Sequence, residues 1–115
     1  MRDINSLKLN IQFKRVYQKG KSAVSPYMVV YARRVGGVGG LGITASKKIG
    51  KAVERNRAKR RIRGLYRKYK ENIDKGYDLV VVARTRTISA PFYKLEDAFV
   101  ALLKEIGIYS EKCGE

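Results

Sequence analysis

Apolar positions along this chain alternate between helical and strand-like rhythms. Residues 10–19, NIQFKRVYQK, place Phe13, Val16 and Tyr17 at i, i+3, i+4, with Asn10 suited to an N-cap and Gly20 just past the end. That spacing predicts a short helix, and on spacing alone the stripe faces a core. Residues 27–33, YMVVYAR, follow Pro26 and are rich in β-branched and aromatic side chains, as strands are. The next segment, RRVGGVGGLG, does not open directly into a helix as a phosphate-cradling glycine loop must. It reads as a flexible hairpin connection. Residues 41–46 then set Leu41, Ile43 and Ala45 against Gly42, Thr44 and Ser46, the period of a half-buried strand.

A helical rhythm returns between about residues 53 and 70, where Ala58, Ile62, Leu65 and Tyr69 recur at i, i+4, i+7, i+11. Residues 74–78, DKGYD, form a turn. Residues 79–83, LVVVA, are apolar without a break, which fits a strand covered on both faces. Residues 84–90 read as a polar loop. Pro91 suits the first turn of a last helix in which Phe92, Leu95, Phe99, Leu102 and Ile106 share a face, Gly107 ends it, and the tail from Ile108 is loose. The order is helix, strand, strand, helix, strand, helix. It predicts one α+β domain over residues 1–115, a two-layer sandwich with helices packed on a small sheet.

Charge changes the picture. The chain has 26 basic and 10 acidic residues, a formal +16, and residues 46–70 supply +11 of it. Apolar residues make up 44% of the chain, enough for a folded core rather than a basic tail. A compact domain carrying such a charge repels itself unless its partner is a polyanion. No apolar run approaches the length of a bilayer span, and the N-terminal MRDINSLKLN lacks a signal-peptide core. Cys113 is the single cysteine, so no internal disulfide forms, in keeping with a reducing cytoplasm. There is no histidine, which removes the commonest general base and metal ligand. The carboxylates are scattered. No catalytic residue and no protein-held metal is predicted, so any chemistry belongs to a partner.

At about 100° per residue, Asn56, Arg60, Arg63 and Arg67 fall opposite the apolar stripe of the basic helix. Arg57 and Lys68 flank one edge of it, Lys59 and Lys70 the other. One face docks on the sheet. The other lines up guanidinium forks suited to phosphate oxygens. A solvated helix face normally mixes signs at i, i+4, and this one does not. A membrane-surface helix is a rival, but its apolar side chains are needed to cover the sheet. Upstream, Lys47 and Lys48 leave a strand end and Gly50 allows a tight turn into the helix, whose first turn carries Glu54, where the helix dipole favours an acid.

Residues 42–67, GITASKKIGKAVERNRAKRRIRGLYR, resemble the signature of the bacterial ribonuclease P protein component. The core of the likeness is Arg55-Asn56-Arg57, then Lys59, Arg60 and Arg63, with SKKIG upstream. NIQFKRVYQKGKS, the VVYA ending at Ala32 and GYDLVVVAR extend it over nearly the whole chain. The resemblance implies a four-stranded mixed sheet with three helices and a left-handed βαβ crossover through the basic helix, against the usual right-handed rule. It also implies a subunit of a cytoplasmic ribonucleoprotein endoribonuclease, in which a catalytic RNA, with magnesium ions that it largely holds itself, removes the 5′ leader of precursor tRNA. No organic cofactor, membrane or protein partner is implied. By the same resemblance Lys47, Lys48, Arg55, Asn56, Arg57 and Arg60 meet the catalytic RNA, with Arg67 continuing the row. Phe13, Tyr17 and Tyr31 line a cleft for the single-stranded leader, with Lys59 and Arg63 at its margin. Stacking rings beside a cationic track hold single strands of varied sequence. The rival reading is a ribosomal or RNA-chaperone protein that buries its basic face in folded RNA.

Overall fold

This computed structural model describes residues 10–37 and 39–110, with side chains from residue 14 onward. Helix α1 (Asn10–Lys19) leads into strands β1 (Lys21–Val24), β2 (Met28–Arg34) and β3 (Leu41–Thr44). A 3₁₀ turn (Lys47–Ile49) precedes helix α2 (Ala52–Tyr69), and a second (Lys70–Asn72) follows it. Strand β4 (Tyr77–Ala83), a short helix α3 (Thr85–Ser89) and helix α4 (Phe92–Ile106) complete the order. The four strands lie in the order β1-β2-β4-β3, antiparallel except for the parallel β3–β4 pair. The fold is therefore α+β with a mixed sheet, and α2 is the crossover between its parallel strands.

The glycine-rich segment is not a hairpin connection. β2 and β3 do not pair, because β4 lies between them. The loop passes the start of β4 at close quarters, where a side chain on Gly39 would strike the Tyr77 backbone. Leu79 N donates to Gly40 O at 2.9 Å and Val35 N to Gly76 O at 2.7 Å, so the glycines let two backbones run together.

Alternation along the strands divides the core. Met28, Val30, Ala32, Leu41, Leu79, Val81 and Ala83 face Ile62 and Leu65 of α2 and Leu95, Phe99 and Leu103 of α4. On the other side Val16 of α1 covers Val80, with Tyr31 and Val82 at the margin. Val82 is only half-buried, so β4 is not sealed on both faces as its apolar run predicted. Tyr69 is also half-buried, at the edge of the docked stripe. Among the described residues no helix is long and apolar enough to cross a membrane.

Three further expectations are corrected. KSAV pairs with β2 as a strand that its weak pattern hid. The supposed polar loop after β4 contains α3, so a fourth, one-turn helix joins the three long ones. Its buried Thr87 takes the Arg84 backbone N–H on its hydroxyl at 3.0 Å and donates to Tyr27 O, which fixes the turn. The segment after Gly107 is not loose over its described part: Ile108 is buried, Asp74 N donates to Ile108 O at 2.8 Å, and Tyr109 bridges to Ile73.

Candidate nucleic-acid interface

The basic helix begins where Gly50 turns the chain at φ 156°. A side chain there would bring its Cβ to 2.9 Å from Glu54 Cβ. Free of that clash, Glu54 reaches back, and its Oε1 accepts from Lys51 N at 2.8 Å, satisfying a donor at the helix start. Lys47 and Lys48 stand exposed in the 3₁₀ turn before it.

Ala58, Ile62 and Leu65 are fully buried, and Asn56, Arg60, Arg63 and Arg67 are exposed. Burying Ile62 and Leu65 is worth about 1.5–3 kcal/mol each. Each like-charged i, i+4 pair, such as Lys59–Arg63 or Arg63–Arg67, opposes the helix by only about 0.2–0.5 kcal/mol. Packing therefore holds the arginines in a row roughly 16 Å long, at 1.5 Å per residue. Among the described residues no carboxylate pairs with Arg60 or Arg63. Lys68, at the edge of the row, pairs instead with Glu96 of α4.

Two arginines of α2 also work inside the protein. Arg57 Nε donates to Ile88 O at 3.1 Å. Arg61 donates to Thr87 O, Ile88 O and Ala90 O at 3.0, 2.7 and 2.6 Å, so it ties α2 to the end of α3. Burial, and then the neighbouring Arg57 charge, lowers the Arg61 pKa, and the three carbonyls compensate the charge that remains. Phe92 does not enter the core with the rest of its stripe. It lies over Gly64, with the Arg61 guanidinium 5.9 Å from its ring centre.

On the opposite layer Tyr17 and Tyr31 meet edge to face, with ring centres 4.8 Å apart. The Tyr17 hydroxyl lies 3.2 Å from Thr44 Oγ1, so α1 is pinned to β2 and β3 together. α1 covers Val80 but leaves Val29 and Val82 half-buried, and Val24 is 62% exposed. The register sets Val24, Val29, Val82 and Thr44 side by side across all four strands. The result is an open apolar floor beside two tyrosines, fit for flat rings. Phe13 lies in α1, and its side chain is outside the described residues.

The ribonuclease P family model matches residues 1–107 of this chain. The chain belongs to the ribonuclease P protein family. It is 41% identical to the ribonuclease P protein component of Clostridium botulinum over 108 residues, covering 92% of this chain and 97% of that protein. Its fold superposes on the Staphylococcus aureus RNase P protein with a TM-score of 0.80 at 32% identity, over 91% of this chain and 97% of the other. The Thermotoga maritima RNase P protein gives 0.78 at 34% identity, over 89% and 97%. Family membership makes this chain a protein subunit of an endoribonuclease of tRNA 5′ processing.

In this ribonuclease P protein the candidate residues form two groups. Lys47, Lys48, Arg55, Asn56, Arg57, Arg60 and Arg67 follow the turn and helix α2, whereas Tyr17 of α1 meets Tyr31 of β2 on the other side of the sheet. Lys59 and Arg63 are on α2, and no hydrogen bond or ring contact joins them to the tyrosines. Reading the sequence missed Arg61, whose partners belong to an element taken for a loop. It also missed the valine floor; the alternation of Val80 and Val82 with Leu79 and Val81 was the available signal.

Proposed function

We propose that this chain binds the catalytic RNA of ribonuclease P through α2 and its preceding turn, and holds the 5′ leader of precursor tRNA on the Tyr17–Tyr31 surface. One observation supports this above others: a basic row and an aromatic, apolar floor occupy separate layers of one small sheet. A protein that only buries itself in folded RNA needs the row alone. Unstacked bases need rings, and a folded backbone needs charges.

In this reading the chain binds, orients and excludes water, and it performs no bond-breaking step. The donor set does not fit a resident metal. The sequence has no histidine, and among the described residues no cluster of acids or thiols could hold one. Magnesium belongs to the catalytic RNA and supplies the hydrolytic chemistry there. The pure protein is therefore inactive, and its place is the cytoplasm beside precursor tRNA.

The test is precursor tRNA cleavage by the catalytic RNA at low magnesium, with and without this protein. Stimulation by the protein is expected. Absence of stimulation favours the ribosomal or chaperone-type alternative, and cleavage by RNA-free protein contradicts the division of labour.

A further inference from the structure

Helix α2 carries a glycine in its interior, Gly64. Glycine is the least favourable helix residue after proline, so such a position needs a reason. Elsewhere the fold supplies one. A Cβ on Gly20 would strike the carbonyl oxygens of Val16 and Ala32, and Gly50, Gly76 and Gly107 have positive φ. Gly64 has neither reason. Its φ is not positive, and a Cβ there would meet Phe92 Cζ at 3.8 Å, an ordinary van der Waals contact. Alanine would therefore fit the folded protein. The surroundings point outward instead. The helix neighbours of Gly64 at i±3 and i±4 are Arg60, Arg61, Arg67 and Lys68, all cations. Arg61 is held by the α3 carbonyls and Lys68 by Glu96, whereas Arg60 has no carboxylate partner among the described residues. Phe92, on the other side of the glycine, is 36% exposed.

We propose that Gly64 is the floor of a notch in which a ribose–phosphate strand of the folded catalytic RNA touches the α2 backbone, with Phe92 as one wall and Arg60 as the other. The proposal rests on the reading of α2 as the catalytic-RNA surface, and it adds which flank of the helix the strand approaches most closely. Val53, Arg57, Arg60 and Gly64 follow at i, i+4, i+7, i+11, so they share one flank, about 16.5 Å long at 1.5 Å per residue. Its two ends are apolar and open: Val53 is 78% exposed, and the Phe92 ring stands beside Gly64. Between them Arg57 uses only Nε on Ile88 O, which leaves its two terminal amino groups, with the Arg60 fork, for phosphate oxygens. A sugar–phosphate strand offers ribose C–H faces and phosphates in turn, and so matches this alternation. An apolar protein segment would leave both arginines uncompensated. Base-paired RNA presents its ribose edge across a wide, shallow minor groove, on which a helix flank can lie. The missing methyl lets the strand come closer to the helix axis, so α2 gives up helix stability at Gly64 for contact with RNA.

The test sets stability against affinity at one residue, in the full chain with the catalytic RNA. Gly64→Ala should raise the melting temperature by about 2–5 °C, because alanine favours the helix. It should also weaken catalytic-RNA binding about tenfold, the scale of a methyl forced into a close-packed contact. Gly64→Met, larger and also a good helix former, should bind more weakly still. Arg60→Ala is the reference: its log–log salt slope falls by about 0.7–0.9, whereas Gly64→Ala removes no cation and keeps the slope. A fall in melting temperature for Gly64→Ala overturns the proposal, since the glycine then serves the fold. If Arg60→Ala loses affinity and both Gly64 variants bind as wild type does, the notch alone is refuted and the reading of α2 stands. If none of the three variants loses affinity, the reading of α2 fails and the notch with it.

Discussion

Tyr17 and Tyr31 stand edge to face at 4.8 Å, with an interplanar angle of 80°. They arrive from different layers, Tyr17 on a helix and Tyr31 on the sheet beneath it. The Tyr17 hydroxyl is held near Thr44 Oγ1, so its ring is fixed before any ligand arrives. A fixed ring loses little entropy on binding, which suits a platform for bases of any sequence.

Tyr31→Ala is expected to weaken precursor tRNA binding by about 1–3 kcal/mol and to spare mature tRNA. Tyr17→Phe keeps the ring and loses only the Thr44 contact, so its effect is smaller. Binding titrations of both tRNAs against both variants check this. Equal losses on the two tRNAs would reduce the pair to a packing role.

Arg60 and Arg57 separate binding from folding. Arg60 is exposed with no internal carboxylate partner among the described residues, so Arg60→Ala should leave stability within about 0.5 kcal/mol. It should also lower the log–log salt slope of catalytic-RNA binding by about 0.7–0.9. Arg57 donates to Ile88 O as well, so Arg57→Ala changes both the slope and the melting temperature. An unchanged slope in both variants would falsify the phosphate row.

The faces of α2 were legible in the sequence because a helical period maps straight onto buried and exposed sides. Ile62 and Leu65 went in, and Arg60 and Arg63 stayed out. Strand order was not legible. A hairpin between residues 27–33 and 41–46 was the local expectation, but β4 is the most continuously apolar strand and takes the centre, where it pairs on both sides. That outcome depends on a partner distant in sequence. Ile108 was missed for a similar reason: its burial depends on the segment after α2, which pairs with the tail through Ile73 and Tyr109. Among site residues, those with a motif were readable. Arg61 and the Val24–Val29–Val82 floor become functional candidates only once the carbonyls of α3 and the strand register are known.

Arg61→Ala should destabilise the protein by about 1.5–3 kcal/mol, because it removes charged donors from three carbonyls at the end of α3. Urea unfolding should show a lower midpoint with the slope unchanged. RNA affinity measured well below the new midpoint should fall much less than in Arg60→Ala. A loss of affinity with no loss of stability would instead place Arg61 against RNA.

Gly50→Ala tests how the arginine row is started. At φ 156° alanine is strained, and its methyl meets Glu54 Cβ at 2.9 Å, so Glu54 must give up the Lys51 N–H. The lost cap alone is worth about 0.5–2 kcal/mol. Glu54→Gln retains an acceptor for that N–H and loses the charge at the helix start, a smaller effect of about 0.3–1 kcal/mol that fades as salt rises. Because Arg55, Asn56 and Arg57 lie in the first turns of α2, a displaced start also moves them relative to Arg63 and Arg67. Gly50→Ala should therefore weaken catalytic-RNA binding beyond its stability loss, whereas Glu54→Gln should not. Parallel melting and binding series separate the two, and equal effects of both variants on binding would show that the cap's charge, and not the helix start, positions the row.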